Sequence, residues 1–281
     1  MQIIEQIAAM RAWSAGERRL ERRIVFVPTM GSLHEGHLCL VRDARTRGDR
    51  VVVSIFVNPM QFGPSEDFAK YPRDLQRDRA LLESLGIEVL FHPTVAEIYP
   101  DGYQTHIEVE NLSVPLCGMV RPGHFRAVAT VVAKLFNIVR PHVAIFGEKD
   151  FQQLQVVRRL VCDLSMDIEI VGHPIVREAD GLAMSSRNAY LTPAERRAAV
   201  CLSRALCKAE KLARRGEVQA ATLLHAVSAA IAQEPLAQIE YAKLCDPESL
   251  HEVDQLQGAA VLALAVRFGR ARLIDNRVIK N

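Results

Sequence analysis

The chain has no Cys-x-x-Cys pair, no block of like charge, no low-complexity tract and no unbroken apolar run of membrane length, and each absence removes a class of function. Its six cysteines (Cys39, Cys117, Cys162, Cys201, Cys207 and Cys245) are scattered, which suits neither a zinc ribbon nor a small disulfide framework. Reduced thiols in a cytoplasmic protein are the simplest account. Thirty-five Lys and Arg against 33 Asp and Glu leave a net charge of +2, too near balance for a nucleic-acid surface, so any anionic ligand must be held locally. The most apolar region, residues 128–146, is interrupted by Lys134, Arg140, Pro141 and His142 and cannot be a membrane span. The first twenty residues set Glu5 among their apolar positions and their arginines after them, the reverse of a signal peptide, so no export is expected.

What remains is an ordinary globular composition, 49% hydrophobic and 24% charged over 281 residues. That length predicts two domains, or one large domain with an appendage. The stretch that organises the chain is Val25-Phe26-Val27-Pro28-Thr29-Met30-Gly31-Ser32-Leu33-His34-Glu35-Gly36-His37-Leu38. A β-branched run at 24–27 reads as a buried strand, Pro28 and Gly31 end it, and 34–47 has helical periodicity. Such a strand–turn–helix presents His34 and His37 at a helix N-terminus, where unpaired N–H groups and the macrodipole favour an anion. Two surface histidines are the plainer alternative, and zinc would need further ligands.

Along the chain, helices are expected at 1–13, 74–85, 123–139, 151–164, 193–215 and 220–233. Strands are expected at 51–57, 87–91, 143–146, 168–171 and 239–244, with a further apolar run at 260–268 and a possible strand at 106–109. Apolar strands alternating with helices predict an α/β domain, a parallel sheet with helices on both faces, whose ligands sit at the C-terminal strand ends. The turns starting at Pro28, Asn58 and Gly147 fall there. Composition shifts near Val176, so the boundary is placed there: residues 1–175 form the first domain and 176–281 a smaller C-terminal α+β domain. Thr192 serves as N-cap and Pro193 as first residue of the latter's first long helix.

Five motifs then occur in order: Met30-Gly-Ser-Leu-His-Glu-Gly-His37, Asn58-Pro-Met-Gln-Phe62, Arg121-Pro-Gly-His-Phe-Arg126, Gly147-Glu-Lys-Asp-Phe-Gln-Gln153 and Met184-Ser-Ser-Arg-Asn188. The first is a HIGH-type nucleotidyltransferase signature, and together they closely resemble the pantoate–β-alanine ligase family across nearly the whole chain. The resemblance implies a Rossmann-like ATP- and pantoate-binding domain and a smaller lid domain. It implies a two-step reaction: the pantoate carboxylate attacks the α-phosphorus of Mg·ATP to give pantoyl adenylate and pyrophosphate, and β-alanine then displaces AMP. It also implies a cytoplasmic homodimer built on the N-terminal domain, with no nucleic-acid or membrane partner.

By the same resemblance, ATP is contacted by Met30, Gly31, Ser32, Leu33, His34, Glu35, Gly36 and His37, by Gly147, Glu148, Lys149 and Asp150, and by Val176, Met184, Ser185, Ser186 and Arg187. His34, His37, Lys149 and Arg187 form the catalytic set, with His37 as proton donor. An imidazole titrates near neutral pH and supplies a proton as well as a dipole. Gln61 would bind pantoate and β-alanine, and Gln153 pantoate; neutral amides leave a carboxylate nucleophilic. Arg121, His124 and Arg126 are candidates for shaping the pantoate pocket. Asp78 is the candidate Mg²⁺ contact, although Arg77 stands beside it where some relatives carry another acid, so Mg²⁺ would be held mostly by ATP and water. Two readings compete. One is an adenylyltransferase with a phosphorylated acceptor, against which the neutral Gln61 and Gln153 argue. The other is a nucleotide-binding regulatory or scaffold protein that has lost catalysis, against which the complete set of His34, His37, Lys149 and Arg187 argues.

Overall fold

The computed structural model describes residues 1–64 and 66–281. In chain order the elements are β1 (Gln2–Ile4), α1 (Ile7–Arg19), β2 (Ile24–Thr29), α2 (Glu35–Arg45), β3 (Arg50–Ile55), α3 (Leu75–Ser84), β4 (Val89–Phe91), the short helices α4 (Val95–Ile98) and α5 (Cys117–Val120), α6 (His124–Val139), β5 (Val143–Gly147), α7 (Phe151–Asp163) and β6 (Glu169–His173). They are followed by α8 (Pro193–Ala198), α9 (Cys201–Ala213), α10 (Ala220–Ile231), β7 (Ala237–Cys245), β8 (Ala259–Phe268) and β9 (Ala271–Lys280). Among the described residues no helix is long and apolar enough to cross a membrane.

Two compact units result. The first comprises Met1–Ser113, Arg121–Glu148 and Gln153–Pro174, and the second comprises Val114–Val120, Lys149–Gln152 and Ile175–Asn281. A single boundary at 176 does not foresee the two short excursions, 114–120 and 149–152, because they join the second unit only through tertiary contacts.

In the first unit six strands form one sheet in the order β1-β4-β3-β2-β5-β6, and every pairing is parallel. Strand β2 lies at the centre, and its residues Ile24 to Val27 have no exposed surface. Alternation along the strands divides the core between the two faces. Val25 and Val27, with Val51, Val53, Val143 and Ile145, meet Leu40, Val41 and Ala44 of α2 and Leu82 of α3. Phe26 and Phe146 instead meet Phe136 of α6, with ring centroids 6.4 and 6.3 Å apart in edge-on geometry. Helix α6 buries 12 of its 16 residues, as a helix that serves as one wall of a sheet must. The chain proceeds from β2 to β3 on one side and reaches β5 on the other, so the sheet order reverses at β2 and β5. The turns leaving their C-terminal ends face a topological switch point.

The second unit is a three-stranded antiparallel sheet, β7-β8-β9, whose inner face packs on α9 and α10 through Leu206, Leu223, Val227, Leu262 and Leu264. Thr192 caps α8 in a reciprocal box with Glu195, and Pro193 is its first residue.

Four local expectations are corrected. The helix expected from residue 1 begins at Ile7, because residues 2–4 pair with β4 as an edge strand too short to show a period. No strand forms at 106–109; the backbone of Ile107 is tied instead to the hydroxyl of Thr130 on α6, at 2.9 Å. The single helix expected over 193–215 breaks between Ala198 and Cys201. Residues 198–201 are all buried, and four consecutive buried positions exceed one face of a straight helix. Finally, β9 is a full strand where no strand is expected from the sequence.

Candidate functional site

The residues expected to bind ligand fall into two groups, one in each unit. In the first unit the group is built on the turn after β2. The Thr29 hydroxyl donates to Ser54 O across the β2–β3 pair and accepts from Gly31 N, at 2.8 and 3.2 Å. Gly31 has φ +78°, and a Cβ there would stand 3.0 Å from the Ile55 side chain and 3.1 Å from the Asp78 carboxylate, so only glycine lets the chain turn here. Ser32 follows with φ +51°. This conformation is fixed by Asp78, which is 1% exposed. Its two oxygens accept from Ser32 N at 2.7 Å and Leu33 N at 2.8 Å. Burial pushes the Asp78 carboxyl up, and the Leu33 and Ser32 N–H groups act against that.

Leu33 is buried as the plug of the turn, and His34 becomes the N-cap of α2. The two histidine rings stack at 4.1 Å with a 38° tilt, and His37 Nδ1 lies 3.4 Å from His34 N. The helical i, i+3 spacing is what brings them together. Gly36 is buried on the sheet side of α2. Glu35 points away from this group: it is exposed and engaged by Arg42 on the same helix.

The Asn58–Phe62 turn follows β3. Asn58, fully buried, accepts at Oδ1 from Met60 N at 3.2 Å and from the Tyr99 hydroxyl at 3.1 Å. A backbone N–H can only donate, so this contact fixes the orientation of the Asn58 amide. Its Nδ2 then donates to Gln61 Oε1 at 3.0 Å. The orientation of Gln61 follows, with Nε2 as its donor end. The backbone of the same residue is held from the other side. His124 Nδ1 donates to Gln61 O at 2.9 Å, Arg121 Nη2 donates to it at 3.1 Å, and Arg121 Nη1 donates to His124 Nε2 at 3.1 Å. Arg121 in turn forks onto both oxygens of Glu66, each at 2.6 Å. Burial raises the Glu66 carboxyl, but the hydrogen bonds and charge of Arg121 outweigh it and hold it below its ordinary range. Asn58 and Glu66 carry this arrangement and were not assigned roles from the sequence; for Asn58 its place in the Asn-Pro-Met-Gln motif was the available signal. Gln153, half-buried, lies on the first full turn of α7. Gly147 ends β5 beside His173, and Glu148 rests against Gly172, where an added Cβ would stand 3.0 Å from its carboxylate.

In the second unit, Lys149 and Asp150 occupy a single 3₁₀ turn, their charges 3.4 Å apart. Val176 and Met184 close a hairpin through Met184 N→Val176 O at 3.0 Å. Beyond it Ser185 caps a turn over Ser186–Tyr190 by accepting from Arg187 N at 3.3 Å. Asn188 ties that turn back to Ala183 O and Glu178, at 3.2 and 2.9 Å. Arg177, inside the hairpin, was not foreseen as part of the site.

The first unit thus sets two stacked histidines at the N-terminus of α2 and holds the Gln61 amide in one orientation. Comparison with known proteins gives the family: the model for pantoate-beta-alanine ligase matches residues 2–278. The chain belongs to the pantoate–β-alanine ligase family. It is 58% identical over 280 residues to the pantothenate synthetase of Heliobacterium modesticaldum, spanning 100% of both chains, and 55% identical to that of Geobacter sulfurreducens, spanning 99% of both. Its structure matches that of pantothenate synthetase from Thermus thermophilus with a TM-score of 0.94, at 48% identity and 99% coverage of both chains. The pantoate-beta-alanine ligase of Francisella tularensis, solved in complex with beta-gamma ATP and beta-alanine, matches with a TM-score of 0.82 at 34% identity, covering 99% of this chain and 97% of that one. The activity of this chain is that of its family, the ATP-dependent ligation of pantoate to β-alanine.

Among the described residues no group of three or more His, Cys, Asp or Glu side chains could hold a metal ion. Both Asp78 oxygens accept from backbone N–H groups, so the carboxylate anchors the turn before α2.

Proposed function

We propose that the His34/His37 pair and the oriented Gln61 amide carry the first half-reaction, the formation of pantoyl adenylate. In that step a pantoate carboxylate oxygen forms a bond to the α-phosphorus of ATP, and the bond from that phosphorus to the bridging oxygen breaks as pyrophosphate leaves. Negative charge grows on the departing oxygens. Two imidazoles at the positive end of α2 meet it with fixed donors, which is the main lever in a transfer that needs no protein nucleophile. His37, whose Nδ1 faces the backbone of His34, is the proton donor to pyrophosphate. In the second half-reaction the β-alanine amine forms a C–N bond to the acyl carbon, and the C–O bond to AMP breaks with its electron pair staying on AMP. The proton lost by the amine passes to water.

The observation that carries this reading is the fixed direction of Gln61. With Oε1 committed to Asn58, the side chain offers an N–H donor. That suits a carboxylate or hydroxyl of pantoate and leaves the attacking oxygen its charge. A phosphorylated acceptor would call for cations there. Gln153 is the second pantoate contact. Lys149, Ser185, Ser186 and Arg187 supply a cation, two hydroxyls and a guanidinium for the nucleotide phosphates. Met30 and Gly31 bring backbone close to the ligand. Mg²⁺ would enter with ATP, held mostly by phosphate oxygens and water. The working form is a cytoplasmic homodimer.

Pyrophosphate–ATP exchange tests the scheme. Exchange is expected to require pantoate and not β-alanine, and exchange unaffected by omitting pantoate would refute it. His37→Ala should lower the exchange rate roughly 10²-fold or more. A rate within a few-fold of the unaltered protein would leave that histidine outside the chemistry. Sedimentation at micromolar concentration reads the dimer directly.

A further inference from the structure

Strand β9 breaks its own pattern at Asp275 and Asn276, and the next core-face position, Arg277, is paired with Glu210 of α9. Ala271, Leu273 and Ile279 point into the apolar cluster of the second unit, while Val278 and Lys280 are exposed. Period-two alternation therefore assigns Asp275 to the core face and Asn276 to the outer face. An acid at a core position is an exception, and an amide on the outer face should be exposed. Yet both are buried, at 2% and 5% exposure.

Each has a specific partner in, or directly before, a turn proposed to contact phosphate. The Asp275 carboxylate receives Arg177 in a two-pronged pair, at 2.7 and 2.8 Å. Arg177 sits in the hairpin closed by Met184 N→Val176 O, and its Nη1 also spans that hairpin to Gly181 O at 3.0 Å. Ser185 to Arg187 follow directly. Asp275 Oδ1 also accepts from Asn276 N at 2.8 Å. On the other face, Asn276 Nδ2 donates to Lys149 O at 2.9 Å. Two neighbouring residues of one strand thus hold two turns that are distant in sequence.

Fold stability alone does not account for this pair. β9 already pairs with β8 over ten residues, and a buried ion pair is on average no better than apolar groups of the same volume. What the pair supplies is direction: a planar fork and an amide, each of which fixes a backbone in one place. Polar residues that break a local pattern and are fully satisfied are where function is expected to override folding rules.

We propose that Asp275 and Asn276 are positioning residues for the nucleotide, setting the Ser185–Arg187 turn and the Lys149 turn on one rigid strand. This rests on the reading of Lys149 and Arg187 as phosphate contacts. Neither residue touches ATP; each acts through the turn it holds.

The test is pantoate-dependent pyrophosphate–ATP exchange in the full chain. Asp275→Asn and Asn276→Ala should each lower kcat/KM for ATP roughly tenfold, with KM for pantoate unchanged, because misplacing binding groups by a fraction of an ångström weakens the transition state. A role in folding alone would not produce that split. Double variants locate the effect. Asn276→Ala should add nothing to Lys149→Ala, and Asp275→Asn should add nothing to Arg187→Ala, since coupled residues are not additive. If Asp275→Asn does not fold, the paired change R177M with D275L replaces the ion pair by apolar groups and carries the same expectation. Folded variants with unaltered kcat/KM for ATP, or full additivity with Lys149→Ala and Arg187→Ala, would overturn the proposal. Exchange unchanged in Lys149→Ala and Arg187→Ala themselves would overturn the phosphate reading on which it stands.

Discussion

Replacing Asp78 by Asn separates the two roles open to that residue, loop anchor and metal ligand. The amide keeps one acceptor for either Ser32 N or Leu33 N, now 2.7 and 2.8 Å from the carboxylate, and turns an NH₂ group toward the other. A buried donor left facing a donor costs about 1–3 kcal/mol. Burial disfavours the Asp78 charge, so removing the charge gives part of this back, and a net loss of roughly 1–2 kcal/mol is expected. That corresponds to a fall in Tm of a few degrees, roughly 2–8 °C. The catalytic effect should be larger than the thermal one, because the anchored segment holds Ser32 at φ +51° directly before His34. Released from that conformation, the histidines lose their aim. Exchange should fall roughly 10²-fold, the usual penalty for displacing a catalytic group by about an ångström. Exchange is measured over a Mg²⁺ series alongside thermal melting. Exchange within about threefold of the unaltered protein, with Tm moved by less than about 1 °C, would refute the anchor argument. Recovery of the variant at high Mg²⁺ would make Asp78 a metal ligand instead.

Two other perturbations test the Gln61 clamp. Asn58→Asp cannot donate to Gln61 Oε1, so the Gln61 amide must reverse and present its carbonyl to pantoate; KM for pantoate should rise roughly 10–10²-fold with KM for ATP little changed, and equal changes in both would count against the assigned direction. The Glu66 carboxyl is held below its ordinary value of 4.5 in the folded protein. Its contribution is therefore complete above that value and is lost as pH falls through the lower folded pKa. Glu66→Gln should melt lower than the unaltered protein near neutral pH, and the gap should close in acid; a gap constant from pH 7 to about 3 would show that the Arg121 pair does not contribute to it.

Much of the architecture was legible because it rests on local signals. The run Val25-Phe26-Val27 ending at Pro28 and Gly31 specifies a buried strand and a turn. The repeated strand–helix alternation specifies a parallel sheet, since parallel strands require long crossovers. Thr192, Pro193 and Glu195 mark a helix start by capping chemistry alone. Elements without a repeating pattern were missed: β1 has only three residues, and β9 has its alternation interrupted at Asp275-Asn276. The separation of α8 from α9 was equally hidden, because helical propensity continues through 198–201 while burial on all sides does not.

The site divides along the same line. Sequence alone determined which residue types stand where: two histidines at helical spacing after a strand, a glutamine in a proline-bounded turn, and a lysine and an arginine in later turns. Motif order determined the family. Tertiary structure decided how those groups are held. Asp78 lies 45 residues from the Leu33 it anchors, Arg121 is 60 from Gln61, and Asp275 is 98 from Arg177. No periodicity or propensity reports a partner at such separations, because each contact exists only once the sheet has brought its strands together. Charges and amides at these positions read as solvated surface until burial removes their water, and it is that loss of water that makes each one bind its partner and fix the turn it serves.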